Sequence, residues 1–63
     1  MLLFEAVMLV EGVEPCPDEE TFVEACQLLI DTGAAWSLQG FFGRTCAEMI
    51  ESGLCHPKQE DTI

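Results

Sequence analysis

Three apolar runs at three- and four-residue steps, each followed by a glycine, limit what this chain can fold into. Leu3, Ala6, Val7 and Val10 form the first, and Gly12 follows. Phe22, Ala25, Cys26 and Leu29 form the second, widened by Val23 and Ile30, before Gly33. Leu38, Phe41, Phe42, Thr45, Cys46, Met49 and Ile50 form the third, before Gly53. This spacing lays an apolar stripe along one side of an α-helix, whereas a half-buried strand alternates with a period of two. Alternation fails near the start, where Leu2, Leu3 and Phe4 are consecutive and Ala6 to Val10 form an unbroken run. Glycine past a periodic run is a stop signal, because it adopts the left-handed backbone without a Cβ penalty.

The start signals agree. Pro15 and Pro17 bias Glu14 and Cys16 toward extended backbone. Asp18 is placed to cap a helix, with Glu19 and Glu20 in the first turn, where carboxylates favour the helix dipole. The third run has two candidate caps, Thr32 and Ser37. Ala35 continues the stripe backwards from Leu38, which favours Thr32. The chain is thus predicted to be all-α, a small three-helix bundle with helices at about 2–12, 18–32 and 34–52. Residues 1–53 form a single helical domain, and 54–63 (LCHPKQEDTI) form a frayed, flexible tail.

A chain of 63 residues that is 49% hydrophobic cannot hide all its apolar surface. Domains of this size bury about 60% of what the unfolded chain exposes, so a homo-oligomer is expected. The first helix is apolar over most of its girth, and Phe4 and Met8 fall outside its stripe. Gly40 and Gly43 each cost a helix about 1 kcal/mol against Ala, and three residues apart they make a smooth patch. Phe4, Met8, Gly40 and Gly43 are therefore the expected dimer interface.

Charge narrows the choice of partner. Twelve acids oppose two bases, and residues 1–33 hold eight acids and no base. Such a surface lacks the Lys and Arg that bind phosphate, so neither nucleic acid nor an anionic membrane is an expected direct ligand. The apolar start is interrupted by Glu5 and is too short to span a bilayer. A basic protein partner is favoured instead. The candidate contact residues are Glu19, Glu20 and Glu24 on the acidic face, and Trp36, Gln39 and Arg44 around the connection before the third run. Trp and Arg dominate binding hot spots. The alternative reading of Trp36 is a plug at the end of the bundle.

The reactive residues converge on no familiar chemistry. Cys16, Cys26, Cys46 and Cys55 are separated by 9, 19 and 8 residues, and His56 adjoins the last. Zinc sites usually contain a ligand pair two to four residues apart, so no metal ligands are assigned, and a small zinc-binding domain stands only as an alternative. Cys55 and His56 have no third group to orient the base. GFFG lacks the lysine and the strand of a phosphate loop. No enzyme activity, catalytic residue or cofactor is expected.

The stretch LLIDTGAAWSLQGFFGRTCAEMIESG resembles a family of very small acidic proteins encoded by bacteriophages. The shared core is LIDTG, then Trp, then LQG-x-FGR, then a helix ending in Glu-x-Gly. The likeness runs from about Ala6 to Cys55 and is most specific from Leu29 to Arg44. It implies a phage origin and a helical fold, and hands over no catalytic residue. Cys16, Cys26 and Cys46 lie outside the family's pattern, which argues against a metal or disulfide role common to it. The function expected is that of a phage accessory protein in the host bacterial cytoplasm. It would bind a host or phage protein, as a host-factor inhibitor or a nucleic-acid mimic for a nucleic-acid-binding partner. A self-assembling structural module is the second expectation.

Overall fold

A computed structural model of the chain describes residues 1–38 and 40–57. Four helices follow in order: α1 (Leu3–Glu11), α2 (Glu19–Thr32), α3 (Ala34–Ser37) and α4 (Gly40–Glu51). No described residue lies in a strand. No described helix is long and apolar enough to cross a membrane. The all-α bundle expected from the periodicity is the observed architecture.

Each helix end is built from the residues that announce it. The Asp18 carboxylate accepts from the Thr21 N–H at 2.8 Å. That bonding holds the Asp18 carboxyl below the usual carboxylate range. At the start of α1 the Glu5 carboxylate accepts from the Leu2 N–H at 3.0 Å and so serves as a cap. Gly33 ends α2 with φ +81°, and its N–H donates to the Ile30 carbonyl. A Cβ there would be strained whatever the available space.

The core belongs to α2. Ala25, Cys26, Leu29 and Ile30 have no accessible surface. Ala6 and Val10 from α1, Ala35 from α3, and Phe42 and Cys46 from α4 join them in one cluster. Every other helix touches α2, and α3 also touches α4. Two expectations for α1 shift. Leu3, placed on its stripe, is exposed, and Met8, placed off it, is half-buried. The inward face narrows to Ala6 and Val10, with Val7 and Leu9 packed beside them.

The helix expected at 34–52 is not continuous. Leu38 is extended, with φ −85° and ψ −173°, and separates α3 from α4. The Ser37 hydroxyl donates to the Gly33 carbonyl at 3.3 Å, a local bond of the kind that competes with helix continuation. The break lets one turn of helix cover the end of α2 while α4 turns to bury Phe42 and Cys46. Thr32 serves the corner twice: its hydroxyl donates to the Leu28 carbonyl at 2.9 Å and accepts from the Ala34 N–H at 3.4 Å.

The tail boundary also moves. The expected flexible tail begins at residue 54, yet Cys55 is only 4% exposed and belongs to the core. Leu54–His56 is thus tied to the folded unit; residues 58–63 lie outside the described ones.

Candidate functional site

The candidate contact residues fall into two places, not one. Glu19 and Glu20 are exposed in the first turn of α2, and Glu24 is exposed one turn further on. Trp36 and Arg44 are exposed near the opposite end, on α3 and α4. Glu19 is the first residue of α2 and Thr32 the last, a rise of about 20 Å, and Glu24 stands about 12 Å from that far end. No single small surface unites the acids with the tryptophan. Gln39 lies outside the described residues.

Glu24 lines an open depression of about 250 Å³ with Met1, Gln27, Leu28 and Asp31. Met1 reaches the last turns of α2 there, so α1 runs antiparallel to α2. The acids of the linker and of the first turn of α2 (Glu14, Asp18, Glu19 and Glu20) therefore gather at the end where α1 finishes.

Trp36 is packed along one edge and open to solvent along the rest. One edge of its indole packs on α4, where a Cβ added at Gly43 would meet ring atoms at 3.6 and 3.8 Å and the Ala35 carbonyl oxygen at 3.5 Å. The ring is nevertheless 52% exposed. This corrects the assignment of Gly43 to a dimer interface: its bare surface is covered by the chain's own α3. Gly40 faces open space, so the two glycines form no shared patch. Phe41 and Phe42 divide as helical geometry requires: Phe42 is in the core and Phe41 is exposed, with their rings edge-to-face at 5.0 Å.

The thiols meet, although the sequence scatters them. The Cys46 thiol contacts the Cys26 carbonyl at 3.8 Å, and the Cys55 thiol donates to the Val23 carbonyl at 3.5 Å. Cys26, Cys46 and Cys55 thus line one buried side of α2, while Cys16 is half-buried at the linker. Burial and, secondarily, its neighbours Cys46 and Cys55 push the Cys26 thiol from 9.0 up to about 12. Burial likewise raises Cys46 and Cys55. Thiols held protonated are poor nucleophiles and poor ligands. Among the described residues, no group of three or more His, Cys, Asp or Glu is placed to hold a metal ion.

Gln27 is the residue that sequence reasoning missed. Helical spacing puts it outside the apolar stripe of Phe22, Ala25, Cys26 and Leu29, on the side that local pattern assigns to solvent. Its amide nitrogen donates to the Asp31 carboxylate and to the His56 carbonyl, each at 2.9 Å. Its amide oxygen accepts from the His56 N–H at 2.9 Å. The side chain pairs with the His56 backbone as another peptide group would, and so holds Cys55 against Val23. No local signal reveals this, because the partner is 29 residues away. Gln27→Ala is expected to release the terminal segment. With roughly 1 kcal/mol per hydrogen bond, labelling of Cys55 by a thiol reagent should accelerate on the order of tenfold. An unchanged rate, measured by mass spectrometry of each cysteine, would show that burial of Cys55 alone holds the segment.

A family model described as a domain of unknown function, DUF7417, matches residues 6–63. The chain belongs to the DUF7417 family. The matched region includes the α2–α4 corner, the buried thiols and the segment docked by Gln27. No curated protein and no solved structure shows significant similarity to this DUF7417 chain.

Proposed function

We propose that this DUF7417 protein is a phage accessory protein that works in the host cytoplasm by binding another protein, not by catalysis. Its partner carries a basic surface of the kind that binds nucleic acid, and the protein acts as an inhibitor by imitating a phosphate backbone. The observation that carries this reading is the acidic end. Glu14, Asp18, Glu19 and Glu20 crowd the start of α2, all exposed, on a chain with a formal charge of −10. Fixed carboxylates on a rigid helix attract a basic protein over long range and accelerate encounter. The buried, protonated thiols give no support to thiol catalysis, and the exposed acids need no cofactor for the role proposed.

The test is capture from a bacterial extract under rising salt, with double-stranded DNA as competitor. Captured proteins should be nucleic-acid binders, released by both salt and DNA. Glu19→Gln, Glu20→Gln and Glu24→Gln together should weaken binding roughly tenfold or more, mainly through slower association. Binding indifferent to salt, to DNA and to the triple substitution would overturn the mimic reading.

A further inference from the structure

Of the thiols on the buried side of α2, two are placed to react with each other. Cys26 and Cys46 have no accessible surface and come from different helices. The Cys46 thiol reaches the Cys26 carbonyl at 3.8 Å. The two thiols also face one another: the Cys26 S–H is placed to donate to the Cys46 sulfur and favours its ionised form. The other cysteines are anchored apart from this pair. The Cys55 thiol donates to the Val23 carbonyl at 3.5 Å, and the Cys16 thiol donates to the Asp18 carbonyl at 3.1 Å, outside the core cluster. The segment that carries Cys55 is also the cover of the pair. It docks on Val23 through Cys55 and on Gln27 through His56, and so lies along α2 on both sides of Cys26.

We propose that Cys26 and Cys46 are a redox pair, which a peroxide converts to a disulfide when the terminal segment opens, locking α2 to α4. While the segment is docked, burial keeps both thiols protonated and unreactive. Opening admits water and the oxidant. Cys46 ionises, helped by the Cys26 donor, and its thiolate attacks one peroxide oxygen. The S–O bond forms, the O–O bond breaks, and hydroxide leaves a sulfenic acid on Cys46. The Cys26 sulfur then attacks the Cys46 sulfur. The S–S bond forms, the S–O bond breaks, and the departing hydroxyl leaves as water with the Cys26 proton. In total two thiols and one peroxide give one disulfide and two waters. The bridge closes the loop 26–46, which contains α3 and the break at Leu38. Constraining that loop in the unfolded chain favours the folded one. The acids at the start of α2 lie outside the loop, so the bridge stands or falls independently of any basic partner.

The test treats the reduced, full-length protein with hydrogen peroxide in neutral buffer, removes the excess with catalase, alkylates the remaining thiols and maps them by mass spectrometry. The expected product lacks the two thiol hydrogens, joins Cys26 to Cys46, and returns to the starting mass with dithiothreitol. Its helical circular dichroism should be unchanged and its thermal midpoint raised by on the order of 10 °C. Cys46→Ala should form no bridge from Cys26 and show no such rise. Cys55→Ala keeps the pair and should still bridge. Gln27→Ala, which frees the cover, should bridge on the order of tenfold faster, in step with the labelling of Cys55. A wild-type chain that keeps all its thiols or goes only to sulfinic acid would overturn the proposal. So would a bridge to Cys16 or Cys55 in place of Cys26–Cys46, or one that forms only in urea. A Gln27→Ala chain that labels faster at Cys55 yet bridges no faster would overturn the opening step.

Discussion

Leu29→Ala is expected to remove a large part of the protein's stability, the largest loss of any single truncation considered. Leu29 has no accessible surface and sits on the helix that every other helix touches. Truncating a buried leucine costs about 2–5 kcal/mol, the lost transfer energy plus the cavity left behind. A domain of this length has a total stability of only about 3–9 kcal/mol. The neighbours that would have to fill the hole, Cys26 and Ile30, are themselves fully buried on the same helix, so collapse around it is limited. Urea unfolding followed by helical circular dichroism measures the loss. Leu54→Ala, at an exposed position, is the control and should change stability by less than about 0.5 kcal/mol. Comparable losses for the two substitutions would mean that α2 is not the centre of the core.

Alkali should unfold the protein well before its other groups require it. The Cys26 thiol is pushed from 9.0 to about 12 in the folded chain, chiefly by burial, and Cys46 and Cys55 move in the same direction. Above pH 9 the unfolded chain loses these protons while the folded chain keeps them. The folded state then binds more protons, so stability falls as pH rises. The contribution is complete below the ordinary thiol value of 9.0 and is lost progressively as pH climbs toward about 12. Thermal melts across that window should show a falling midpoint, and Cys26→Ala should flatten the decline. An alkaline limb identical in wild type and Cys26→Ala would show that the buried thiols do not govern it.

Most of the fold is legible in the sequence because it is set by local rules. Asp18 caps α2 and Gly33 ends it, since capping depends on residues three or four positions apart. The stripe Ala25, Cys26 and Leu29 marks the buried face for the same reason. The break at Leu38 was not legible. Leu38 continues the apolar spacing from Ala35, and a stripe alone does not reveal where a helix must turn to bury Phe42. The candidate site was legible as composition more than as geometry. The acids at the start of α2 could be read from the chain, but their separation from Trp36 follows from the direction in which α2 runs.

The sequence by itself determined that the chain is helical, where α1, α2 and α4 stop, and that it carries a strongly acidic surface. Those properties reside in short-range spacing and in counted charge. Only the tertiary structure decided that Gly43 receives Trp36, that Gln27 clasps His56, and that Cys26, Cys46 and Cys55 share one buried side of α2. Each of these joins residues distant in sequence, and such contacts are fixed by how whole helices pack, which no local pattern records.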